Sequence, residues 1–148
     1  MTVRHLTSAR RLLIAYGNEM QGDEGASWEL ARRAAAVGWP VLCLHHLHAE
    51  LLELLHDLDE VVFVNVAQQI EAESFQELNA RNVRNCPGPC SLPAQLLRQC
   101  FKQHGQAPSG WAMTLRGDDF GTHLGLSDSS RVSVELGLKR LDSFFPTS

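Results

Sequence analysis

The sequence predicts an α/β protein: a three-layer α/β/α fold with a doubly wound, largely parallel twisted sheet, in a single domain spanning residues 1–148. Three observations carry this. Short apolar runs alternate with segments of helical period in the order β-α-β-α-β, followed after a gap by α-β-α. The run Val61-Val62-Phe63-Val64 is apolar without alternation, which suits a strand covered on both faces of a parallel sheet. Finally, Leu12–Gly25 (LLIAYGNEMQGDEG) reads as a buried strand, a glycine turn and the start of a helix, the opening unit of such a sheet.

Each element follows from its local pattern. Residues 1–10 are polar and are expected to form a loose tail. The first strand is expected over Arg11–Tyr16 and the first helix over Glu24–Val37, stopped by Gly38-Trp39-Pro40. Val41–Leu44 is the second strand. Leu47, Leu51, Leu54, Leu55 and Leu58 then fall at i, i+4, i+7, i+8 and i+11, predicting an amphipathic helix with a wide leucine face. Glu60–Val66 is the third strand. Between Gln68 and Leu78 the pattern breaks and admits a ragged strand or a short helix. Leu92–Gln103 reads as a helix with Pro93 in its first turn. Trp111–Leu115 is a fourth strand and Gly117–Ser127 a loop rich in glycine and aspartate. Ser127 or Ser130 caps the final helix, which ends before Pro146.

A chain of 148 residues can bury one proper core. Its hydrophobic content of 44% and charged content of 20% are those of an ordinary globular chain. A net charge of −4 leaves no electrostatic footprint for nucleic acid, and the basic cluster Arg4–Arg11 is short. No apolar run approaches the ~18 residues of a membrane span, and Leu12–Tyr16 is too short for the apolar region of a signal peptide. The expected location is cytoplasmic, with no membrane partner. Cys43 and Cys100 sit in apolar patterns as small core residues. Cys86 and Cys90 flank Pro87-Gly88-Pro89 and are read as free thiols, since no second pair follows at zinc-ligand spacing.

In open α/β sheets, ligands bind beyond the carboxyl ends of the strands. The glycine loop brings Asp23 and Glu24 there. Asp23 is read as a helix cap, favoured by the positive end of the helix, and Glu24 as a functional group. Gly17, Gly22 and Gly25 do not give GxGxxG, and paired carboxylates would repel a pyrophosphate, so nucleotide binding is disfavoured. His45 and His46 follow the second strand, and in the strand order 2-1-3 they neighbour the glycine loop. With Glu24 they make a candidate transition-metal site, the alternative being surface histidines. His48 and His56 are read as surface residues. Asn65 closes the third strand beside the same crevice, either as a site residue or as a hydrogen-bond partner of the glycine loop. No GxSxG, HExxH or Ser-His-Asp order is present.

Three stretches carry a resemblance: the strand followed by Gly17-Asn18 and Gly22-Asp23-Glu24-Gly25, the segment VLCLHHLHAELLELLHDLDEVVFVN, and the late WAMTLRGDDF…GLS. Together, from Leu12 to about Leu141, the sequence resembles the nickel–iron hydrogenase maturation endopeptidases. The resemblance implies an α/β sheet flanked by helices. It implies removal of a short C-terminal peptide from the hydrogenase large subunit precursor, the expected partner, after nickel has been inserted. It also implies three side chains that contact the nickel presented by that substrate: a glutamate in the glycine loop, an aspartate ending the third strand, and a histidine before the next helix. Glu24 stands at the first position and Asn65 at the second. The third falls near Pro89-Cys90, where Cys90 offers a thiolate in place of the imidazole. Glu24 and Asn65 are thus the candidate catalytic positions, and Glu24, His45, His46 and Cys90 the candidate metal contacts. Two alternatives stand beside this reading. One is a non-catalytic relative that binds a hydrogenase subunit or accessory protein. The other is a repurposed metal site of Glu24 with His45 or His46 and Cys90.

Overall fold

Leu13, Ile14 and Ala15 have no exposed surface, because the strand they form, β1 (Arg11–Tyr16), has a parallel neighbour on each side. The computed structural model describes residues 10–68, 70, 73–78 and 91–145. After β1 come a 3-10 turn (Gly22–Gly25), α1 (Ala26–Ala36), β2 (Val41–Leu44), α2 (Leu51–Leu55) and β3 (Glu60–Ala67). They are followed by β4 (Ser74–Leu78), α3 (Ser91–His104), β5 (Ser109–Arg116) and α4 (Asp128–Phe144). The sheet runs β2-β1-β3-β5-β4, with four parallel strands and β4 antiparallel at the edge.

The three layers follow from the two-residue period of the strands. Leu12, Ile14, Val61 and Phe63 point to one face and pack on Leu51, Leu55, Leu97 and Cys100 of α2 and α3. Leu13, Ala15, Val62, Val64, Met113 and Leu115 point to the other, against Leu30, Ala34, Val134 and Leu141 of α1 and α4. Each of these side chains, once covered, contributes roughly 1.5–3 kcal/mol for a leucine- or valine-sized group. Gly137 lets α4 sit close: a Cβ there would lie 2.7 Å from Leu30 Cδ1 and 3.0 Å from Met113 Sδ. An ion pair between Arg33 and Glu135 ties α1 to α4 on the outside.

Several expectations are refined. The helix predicted from Glu24 starts as a 3-10 turn and becomes α-helical at Ala26. The leucine helix is only five residues long. On both sides the chain turns through i→i+3 bonds (Leu51 N to His48 O, Asp57 N to Leu54 O, Leu58 N to Leu55 O), which keep the leucines near helical spacing. The ambiguous stretch before residue 78 contains an edge strand. Ser127, not Ser130, caps α4, its hydroxyl accepting from Ser130 N. Cys100 is buried and Cys43 half-buried, and burial pushes both thiols up. The tail at residues 1–9 and the loop pair Cys86 and Cys90 lie outside the described residues. Among the described residues, no helix is long and apolar enough to cross a membrane.

Candidate functional site

At the carboxyl ends of β1, β2 and β3 the chain opens into a crevice of about 610 Å³. Its polar lining includes Glu24, His45, His46 and Asn65, each on or just after one of those three strands. Adjacent parallel strands must deliver their following residues to one edge, so this convergence is a consequence of topology. Tyr16, Leu47, Val66 and Phe120 supply apolar walls, and Leu92 of α3 borders the opening.

Glu24 is held by the turn that precedes it. Its Oε1 accepts from Asn18 N at 2.9 Å, and Asn18 Oδ1 accepts from Met20 N at 2.9 Å, closing the loop locally. Gly17 has φ 148°, and a Cβ there would come within 3.1 Å of Glu24 O and 3.5 Å of Glu24 Oε1. A side chain at position 17 would thus press on the Glu24 backbone carbonyl at a φ that L residues rarely adopt.

Asp23 does not cap its helix, correcting the sequence expectation; neither the turn nor α1 has a side-chain cap bond. Its carboxylate, fully buried, points instead into the loop after β5. There Oδ2 accepts from Asp118 N (2.7 Å), Asp119 N (2.9 Å) and Ser127 Oγ (2.6 Å), and Oδ1 accepts from Ser127 N (2.7 Å). Burial raises its pKa, but the bonds from the Ser127 hydroxyl and the three amides outweigh that and hold it below the usual carboxylate value. Gly22 completes the junction, donating to His123 O at 2.8 Å with φ 56°. A Cβ at Gly22 would lie 2.4 Å from Asp119 O. Asp23 and Gly22 together fix the loop that carries Phe120 to the crevice.

Asn65 lies two residues before the end of β3, and its Oδ1 accepts from Thr114 Oγ1 on β5 at 3.1 Å. Among the described residues its hydrogen bond therefore runs to the neighbouring strand and not to the glycine loop, because the register pairs Asn65 with Thr114. The amide is half-buried and neutral. His45 stacks on Trp28 at 5.5 Å between ring centroids, and Trp28 Nε1 donates to Leu44 O at 3.2 Å. His45 and His46 meet edge to face at 6.4 Å. Both histidines are exposed. Glu24, His45 and His46 share the crevice, yet among the described residues they do not gather into a three-ligand cluster; that distinction belongs to Glu53, His56 and His104 elsewhere. Cys90 lies outside the described residues. Tyr16 is pushed far up by burial, so its hydroxyl stays protonated.

The sequence reading missed Phe120, Thr114 and Leu92. Phe120 had a signal: it is the one aromatic side chain in the loop after β5, and a strand parallel to β3 delivers that loop to the same edge.

No protein-family model and no curated protein matches the sequence. Solved structures do match in shape. The [NiFe] hydrogenase maturation protease HybD of Thermococcus kodakarensis superposes with a TM-score of 0.71 at 14% identity, covering 91% of this chain and 98% of that one. The hydrogenase maturating endopeptidase HybD of E. coli gives 0.73 at 15% identity, covering 91% of each chain. The hydrogenase 2 maturation peptidase of a Thaumarchaeota archaeon gives 0.69 at 17%, covering 94% of this chain and 99% of the other. With its doubly wound sheet and its crevice at the carboxyl edge, the chain has the fold of the hydrogenase maturation proteases.

Proposed function

We propose that this chain is a hydrogenase maturation protease-like protein of the cytoplasm that receives the C-terminal segment of a nickel-loaded hydrogenase large subunit precursor in the Glu24–Asn65 crevice. The observation that carries the reading is the meeting of Glu24 and Asn65 in one apolar-walled crevice on this fold. In the reaction, Glu24 contacts the nickel held by the substrate and so fixes the scissile peptide beside it. The metal then polarises the peptide carbonyl or activates a water. Asn65 offers an amide oxygen where a carboxylate would bind the cation more strongly, and the family resemblance assigns the third contact position to Cys90. Turnover is accordingly slow: Asn65 removes a negative charge from the site while leaving its packing intact.

The test is incubation of the protein with a nickel-loaded large subunit precursor, read by mass spectrometry of the precursor. Slow loss of a C-terminal peptide is expected, abolished in Glu24→Gln and accelerated in Asn65→Asp. A precursor left whole by both the parent and Asn65→Asp overturns the proteolytic reading. Tight, nickel-dependent binding without cleavage in that experiment would establish a non-catalytic partner of the precursor. The neutral Asn65 is the observation that favours this second reading.

A further inference from the structure

We propose that Glu53, His56 and His104 form a binding site for a divalent first-row transition ion, distinct from the crevice. The three side chains offer one carboxylate oxygen and two ring nitrogens, all within 4.8 Å of one another. His56 leads into β3 and His104 into β5, so the cluster lies at the amino edge of the sheet, opposite the crevice.

Four features point to a cation. His56 Nδ1 and His104 Nε2 are buried and have no hydrogen-bond partner among the described residues, a costly arrangement for two polar atoms at one spot. Asp57 Oδ1 lies 3.4 Å from His56 Nε2 and favours the proton there, which leaves the Nδ1 lone pair free to bind; metal-bound histidines are commonly held by a carboxylate in this way. His104 is the last residue of the 14-residue α3, at the helix end that favours positive charge. Glu53 Oε1, at 3.9 Å from His104 Nε2, adds a formal negative charge.

The frame is fixed independently of any ion. Gly105, at φ 75°, donates to Phe101 O and stops α3 at His104. Gln106 Nε2 donates to His56 O at 3.2 Å and pins the following turn to the end of α2. The two imidazoles stack at 4.1 Å with planes 10° apart. A tetrahedral ion at about 2.0–2.1 Å from each nitrogen wants its donors about 3.4 Å apart. Convergence on one ion therefore requires one ring to turn about Cβ–Cγ and the exposed Glu53 to swing inward. Two imidazoles with one carboxylate select zinc, nickel or copper over magnesium or calcium.

The experiment titrates zinc chloride into the chelator-treated, full-length protein by calorimetry, with histidine ring resonances followed by NMR. One equivalent is expected to bind with shifts at His56 and His104. Affinity falls at least tenfold in His104→Gln and in Glu53→Gln, and is unchanged in Glu24→Gln. Glu53 is exposed, so its substitution leaves the fold intact even if His104→Gln weakens it. No binding, binding unchanged in Glu53→Gln, or zinc that is lost only on mutating Glu24 or the Cys86–Cys90 pair overturns the assignment.

Discussion

Replacing Asp23 by asparagine changes one atom and should unsettle the whole rear wall of the crevice. Three of the four bonds to Asp23 end on Oδ2 and one on Oδ1. Asparagine can keep its carbonyl on the three-bond side, but its amide then faces the Ser127 N–H, donor against donor. Leaving that buried donor unpaired costs about 1–3 kcal/mol. The other three bonds fall from charge-assisted to neutral strength, a loss of about 1 kcal/mol each. Relief of the buried carboxylate's dehydration offsets a few kcal/mol of this. A net destabilisation of about 3 kcal/mol is expected, or about 6–12 °C in Tm for a domain of this size. Urea denaturation at neutral pH measures it. The pH dependence supplies a second readout. A carboxylate held below its unfolded value contributes stability above the unfolded pKa and loses it as pH falls through the folded one. The parent should therefore lose stability in that acidic window, and the variant should lose less there. An asparagine variant within about 0.5 kcal/mol of the parent would refute the clamp.

Gly22→Ala should destabilise by about 2–3 kcal/mol in the same assay, since its Cβ would lie 2.4 Å from a backbone oxygen at a positive φ. Asn65→Asp should strengthen nickel binding on the order of tenfold by calorimetry, as a carboxylate replaces an amide beside Glu24; the Thr114 bond can persist to the new carboxylate. His123 should titrate above the ordinary histidine value by NMR, raised by its bonds to Leu124 O and to the Asp119 carboxylate. The stabilisation linked to its charged form is present below the unfolded pKa and fades as pH rises through the folded one. Asp119→Asn should bring the His123 value back down.

What could be read from the sequence was whatever depends on neighbours a few residues away. The runs at β1, β2 and β3 are continuous and apolar because each strand is covered on both faces, and their order at the sheet edge follows from right-handed crossovers. The leucine segment misled because turns closed by i→i+3 bonds preserve nearly the same leucine spacing as a helix. The β4 stretch Ser74–Leu78 stayed ambiguous since, as an edge strand, it buries only Leu78 fully. Asp23 and His56 were misjudged for a different reason. The partners of Asp23 lie 95 to 104 residues downstream, and His56 stacks on a ring from another helix. No local pattern encodes such distances. At the crevice, Glu24 and Asn65 were legible through strand topology, whereas Phe120 and Thr114 come from β5 and the loop after it, about 50 residues beyond β3 in the chain.

The position of β5 bears on how the protein comes into being. It pairs with β3 along eight residues from Glu60↔Ser109 to Ala67↔Arg116, so a central strand must wait for a partner made much later. During synthesis at about 5–20 residues per second, some 5–20 s separate Asp23 from the serine that will satisfy it. For the stretch of chain between Val64 and its partner Met113, about 2.5–10 s at that rate, the Val-Val-Phe-Val edge of β3 stands open, an invitation to strand addition by another chain. Pairings this remote along the chain also slow folding in free solution. A nascent chain therefore lacks the Phe120 wall of the crevice until late, and newly made protein is most exposed to aggregation, and to chaperones, before α4 has docked.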